Sequence, residues 1–202
     1  EDFDSLERSR KVINADVLDA WYPPSPKVIE ALQEHLPWIL RTSPPTNCAG
    51  MTATIARVRG VSPENVLVGA GSSSLIYLSL LHWLTPSSRA LILDPTYGEY
   101  AHILEHVVGC QLERLVLPRR AQYAFDLRSL KQAAIEQYDL IVLVNPNSPT
   151  GRHVPRAELA AALERIPRSV RILVDETYVE YVGSEQSLEQ FAARSTNIIV
   201  CK

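Results

Sequence analysis

Cysteine is scarce in this 202-residue chain: Cys48, Cys110 and Cys201 are odd in number, far apart, and form no CxxC pair and no metal-ligand spacing with the five histidines. That argues against a disulfide framework or a zinc module and reads as reduced cytosolic thiols. An excess of one charge is also missing, because 20 basic against 23 acidic side chains leave a net charge of −3 and no basic stripe for nucleic acid. No apolar window approaches the length of a transmembrane helix, and no signal peptide is expected from these residues. A soluble, cytoplasmic protein with neither nucleic acid nor membrane as partner is expected. The pattern GxxxxGK[ST] occurs nowhere, which makes a P-loop ATPase improbable.

What is present is a globular composition, 46% apolar, enough for one large domain or one domain plus an arm. Prolines crowd the first quarter, in WYPPSP and SPP, around a helical stretch over residues 27–36. From Thr46 onward the pattern becomes regular. Helices are predicted over 49–59, 73–84, 100–107, 127–137 and 156–164, and short apolar strands over 65–68, 90–94, 111–116, 140–144, 171–175 and the closing NIIVC. Such alternation describes a three-layer α/β/α domain around a mostly parallel sheet covered on both faces. The chain opens on Glu1 and ends on NIIVCK, which reads as a buried strand with its loop missing, so a piece of a longer protein is expected.

In sheets of this kind ligands bind beyond the carboxyl ends of the strands. Four loops there are unusual: GAGSSS (69–74), DPTYGEY (94–100), NPNSPTG (145–151) and DETYVEY (175–181). GAGSSS opens a helix, where the N–H groups of Ser72 and Ser73 suit an anion such as phosphate. An ordinary tight turn, or a dinucleotide fingerprint with Asp94 closing the next strand, remains open for it, although Ser74 replaces the third glycine. DETY alone is compatible with a helix cap. In NPNSPTG, turn chemistry explains the prolines and glycine but not their combination with the other three loops.

Together these loops resemble the fold-type I enzymes that use pyridoxal phosphate, in particular the group of histidinol-phosphate aminotransferases and threonine-phosphate decarboxylases. The resemblance spans nearly the whole chain and includes YPPSPKVIEAL in the arm. It implies that residues 1–45 are an N-terminal arm and small-domain segment, and 46–202 an incomplete cofactor-binding large domain. It also implies that Gly71, Ser72 and Ser73 hold the cofactor phosphate and that Tyr97 stacks on the pyridine ring. Asp175 would pair with the ring nitrogen, and Tyr178 would lie near the ring hydroxyl. Asp175, Tyr178 and Tyr97 are thereby the catalytic candidates. No metal is implied.

The resemblance has departures. Where the family commonly places an asparagine before PTG, this chain has Ser148, with Asn147 one step earlier; either serves as the donor to the ring hydroxyl. Ser43-Pro44 replaces a Tyr-Pro pair of the arm. The family's nucleophilic lysine is expected about three residues beyond Lys202 by spacing from the DExY motif, so Lys202 is not its counterpart. The activity implied is transfer of an amino group from an amino acid, or a phosphate derived from one, to a 2-oxo acid, in a homodimer. Decarboxylation and a non-catalytic binding protein are the alternatives.

Overall fold

The computed structural model describes residues 22–130 and 138–202. These fall into two units, one reaching to Thr46 and one from Asn47 to Lys202. In the first, helix α1 (Pro26–Ile39) begins with a proline in its first turn, where the missing N–H costs nothing. It runs three residues past the predicted end, through Pro37. The proline removes one hydrogen bond without stopping the helix, because the Leu40 N–H still reaches the Leu36 carbonyl at 3.0 Å.

The second unit holds helices α2 (Ala49–Arg59), α3 (Gly71–Trp83), α4 (Gly98–His102), α5 (Arg156–Leu163) and α6 (Glu189–Ala192). Its strands are β1 (Arg89–Asp94), β2 (Gln111–Val116), β3 (Leu140–Val144), β4 (Arg171–Asp175) and β5 (Ile198–Cys201). All four strand pairs are parallel, in the order β2-β1-β3-β4-β5. Every residue of β3 is buried, as a central strand with both faces covered requires.

Alternation along the strands builds two separate cores. Ala90, Ile92, Leu140, Val142 and Leu173 face one side, against Ile76 and Leu80 of α3 and Tyr100 of α4. Leu91, Leu93, Ile141, Leu143, Ile172 and Val174 face the other, against Leu159 and Leu163 of α5. The three-layer α/β/α expectation is met.

Local departures from the sequence reading have physical reasons. Residues 65–68 are not a strand: Pro63–Asn65 is a 3-10 turn, and Val66 is extended (φ −115°, ψ 118°) but joins no ladder. A strand needs a hydrogen-bonding neighbour. Val66, Leu67 and Val68 instead line a groove of about 530 Å³ together with Ile198 and Val200 of β5. The helix predicted over 100–107 starts earlier, at Gly98, and widens to a π-helix over Ile103–Val108 that ends on Gly109 in a left-handed conformation. The helix predicted over 127–137 falls largely outside the described residues.

Leu140 touches both the central strands and the α3 face with no exposure, so Leu140→Ala is expected to destabilise the chain by about 2–5 kcal/mol. Leu78→Ala, on the exposed side of α3, should stay within about 0.5 kcal/mol. Urea unfolding of the two variants measures the contrast.

Candidate active site

The carboxyl ends of β1, β3 and β4 and the start of α3 carry the four predicted loops, and hydrogen bonds tie three of them together. Asp175, the last residue of β4, is only 4% exposed. Its Oδ1 accepts the Thr177 N–H at 2.9 Å and the Thr177 hydroxyl at 2.7 Å. Its Oδ2 accepts the Tyr100 hydroxyl at 2.8 Å. The Asp175 carbonyl takes the Asn145 N–H at 2.8 Å, so the β3 loop leaves its strand already bonded to β4.

That loop is stapled from within. The Asn145 side chain bonds the backbone of Val154 twice, its amide donating at 2.9 Å and its oxygen accepting at 2.8 Å. Asn147, 4% exposed, donates to the Pro95 carbonyl at 2.9 Å and to the Thr150 hydroxyl at 3.0 Å, and its oxygen accepts the Thr96 hydroxyl at 3.0 Å. Its amide is thus committed to joining the β1 and β3 loops and is not turned toward the strand ends as a donor. Ser148, half-buried, is the neighbouring hydroxyl in this loop.

Of the aromatic candidates, Tyr97 is 40% exposed and meets Tyr100 edge to face, with ring centroids 6.1 Å apart and planes at 81°. Tyr178 is half-buried and tilted against Tyr181 at 6.2 Å. The side-chain bonds of the Asp175 carboxylate go to Tyr100 and Thr177 and not to these two rings.

At the start of α3, Gly71 has φ +84°, a conformation that strains any residue with a Cβ. No side chain caps this helix and no acidic residue sits in its first turn, so no side chain of the helix start competes for the N–H groups of Gly71, Ser72 and Ser73. Cys201, register partner of Asp175, brings the two regions together: its thiol lies 3.9 Å from the Ser72 carbonyl. Burial, and then the Asp175 charge, push that thiol up to about 11. Tyr97, Tyr100, Asp175, Cys201 and Ser72 thereby form one continuous path across the strand ends. A dinucleotide site is disfavoured here, because no strand precedes Gly69 among the described residues.

Sequence reasoning missed Tyr100, Thr177 and Cys201. Tyr100 was visible in DPTYGEY, but only the fold shows that its hydroxyl reaches a residue 75 positions away. Lys202 is ion-paired with Glu180 at 3.2 Å and Glu189 at 3.3 Å, and Arg59 bonds the same Glu180 at 2.7 Å. These two cations hold the Glu180 carboxyl below its ordinary range. Lys202 and Arg59 are thus both tied into one ion-pair cluster with Glu180 and Glu189.

The family model for aminotransferases of class I and II matches residues 11–202, and the chain belongs to that family. A histidinol-phosphate aminotransferase of Staphylococcus carnosus is 33% identical over 164 residues, which take in 81% of this chain and 45% of the relative. Among solved structures, histidinol-phosphate aminotransferase from Sinorhizobium meliloti in complex with pyridoxal-5'-phosphate has a TM-score of 0.78 at 21% identity, over 98% of this chain and 54% of that one. A decarboxylase from Sulfurospirillum multivorans has a TM-score of 0.73 at 23% identity, over 87% and 47%. These two likenesses establish the shared fold. The chain spans about half the length of the curated relatives it matches.

Glu176, next to Asp175, is 1% exposed and caps the turn before α6, accepting the Leu188 N–H at 2.7 Å and the Ser187 hydroxyl. Burial raises its carboxyl above the ordinary range despite these bonds. A raised folded-state value favours the protonated form, so its stability contribution is present below the unfolded value and lost as pH rises through the folded one. Glu176→Gln keeps an acceptor without the charge. The stability of the original chain relative to this variant should therefore fall as pH rises from the ordinary glutamate range, as read from urea unfolding across a pH series.

Proposed function

We infer that this chain is the cofactor-binding part of a pyridoxal 5'-phosphate-dependent aminotransferase. Its reaction moves an amino group from an amino acid, or a phosphate derived from one, to a 2-oxo acid. The observation that carries the reading is the Asp175 carboxylate, buried at a strand end yet incompletely surrounded by the donors described above. Family membership and the name of the Staphylococcus carnosus relative support the substrate class.

The residues fit the cofactor. The uncapped α3 start suits a phosphate, a carboxylate suits a protonated ring nitrogen, and the half-exposed Tyr97 offers an aromatic face. What pyridoxal phosphate supplies when bound is an electron sink for the charge left when the α-proton departs. Gly71, Ser72 and Ser73 would hold the phosphate through backbone N–H groups. Asp175 would keep the proton on the ring nitrogen, which is what makes the ring electron-poor. Tyr97 would cover the ring, and Ser148 and Tyr178 would donate to its hydroxyl, with Asn147 holding the loop that presents Ser148. Residues 1–45 act in this reading as the arm and small-domain segment and 46–202 as the large domain. The working protein is a cytoplasmic homodimer that binds neither nucleic acid nor membrane; no helix among the described residues is long and apolar enough to cross one.

The test is an assay of the cofactor-loaded full-length protein, which includes the lysine expected beyond Lys202 and without which this chain alone is expected to be inactive, with histidinol phosphate and other amino donors, each with 2-oxoglutarate. Glutamate formed in step with the oxo product is expected. Asp175→Asn should lower kcat/KM at least about a hundredfold, roughly 2.7 kcal/mol of barrier, with the circular dichroism spectrum unchanged. Carbon dioxide released without glutamate would replace transamination by decarboxylation. Neither turnover nor cofactor binding would leave a binding protein on this fold.

A further inference from the structure

Tyr100 is the largest fully buried side chain among the described residues, packed in the core between α4 and the sheet. A phenylalanine would fill the same space. The hydroxyl is used: it donates to Asp175 Oδ2 at 2.8 Å. Burial, and then the adjacent Asp175 charge, hold this phenol far above its ordinary range, so it remains a donor at every pH the fold meets.

The distribution of donors on Asp175 is uneven. An ionised carboxylate offers about four acceptor positions. Thr177 fills both on Oδ1, with its N–H and its hydroxyl. Tyr100 fills one on Oδ2, and among the described residues the other is open. Thr177 restrains only one oxygen, from the same loop. Tyr100 grips the second oxygen from a different element, and the two grips together prevent rotation about the Cβ–Cγ bond.

We propose that Tyr100 is a positioning residue: its hydroxyl fixes the plane of the Asp175 carboxylate so that the open lone pair of Oδ2 points toward the N–H of a protonated heteroaromatic ring. This rests on the reading that Asp175 receives the cofactor's ring nitrogen. Tyr100 touches no reacting atom; it acts through Asp175.

The experiment uses the full 202-residue chain and two probes, pyridoxamine 5'-phosphate and its 1-deaza analogue, in which a C–H replaces the ring nitrogen. Affinities are measured by fluorescence titration for the original chain, Tyr100→Phe, Asp175→Asn and the double variant. The original chain should bind pyridoxamine phosphate about tenfold more tightly than the analogue, the order expected for a charge-assisted hydrogen bond. Tyr100→Phe should lose most of that preference and bind the analogue as before. In the Asp175→Asn background it should change nothing further. Thr177→Val, which leaves the Tyr100 bond in place, should keep the preference and serves as the second test if Tyr100→Phe does not fold. Equal weakening of both probes by Tyr100→Phe would mean that the tyrosine only packs, and an intact preference would mean that it is dispensable; either overturns the proposal. A Thr177→Val variant without the preference would transfer the positioning role to Thr177 and overturn it too. No preference in the original chain, or no binding of either probe, would instead remove the underlying reading of Asp175, and the proposal with it.

Discussion

A carboxylate withdrawn from water at the end of a parallel strand is tolerable only if donors surround it, and this requirement at Asp175 organises the loops around it. Thr177 satisfies it from the same loop, Tyr100 from the helix after β1, and the Asn145 N–H ties the β3 loop to the Asp175 carbonyl. Three loops distant in sequence are thus arranged about one side chain. The alternative, an apolar residue at this place, would leave the Tyr100 hydroxyl buried without a partner, at a cost of roughly 1–3 kcal/mol. The cluster is consistent only with an acceptor there.

The neighbouring Glu176 shows the same logic turned to structure. One residue further along, a second buried carboxyl points away from the open strand ends and caps the turn that starts α6. Beyond it, Arg59, Glu180, Glu189 and Lys202 alternate in sign and connect α2, α6 and the end of β5. Pairs this exposed add little stability individually, but as a network they fix where each long side chain lies.

Much of this was legible in the sequence. Continuous apolar runs such as LIVLV announce strands buried on both faces, and the small residues of GAGSSS announce a helix start. Residues 65–68 have the same apolar look, yet whether they form a strand depends on a neighbour and not on their own composition. The π-helical turn over Ile103–Val108 left no periodic signature in so short a segment. At the site, residue types in the loops could be read, but not the direction of a side chain. Asn147 was legible as a donor, and only the positions of Pro95 and Thr96 show that its amide faces them. Tyr100 looked like any core aromatic until β4 was laid beside α4.

Cys201 carries one more consequence. Its thiol lies beside the strand-end carboxylate and beneath the α3 start, and burial with the Asp175 charge pushes it up to about 11, so the thiol form dominates at neutral pH. Alkylating agents and peroxides attack thiolates, and burial denies them access as well. The thiol beside Asp175 is therefore chemically quiet, and Cys48 is the exposed one of the three.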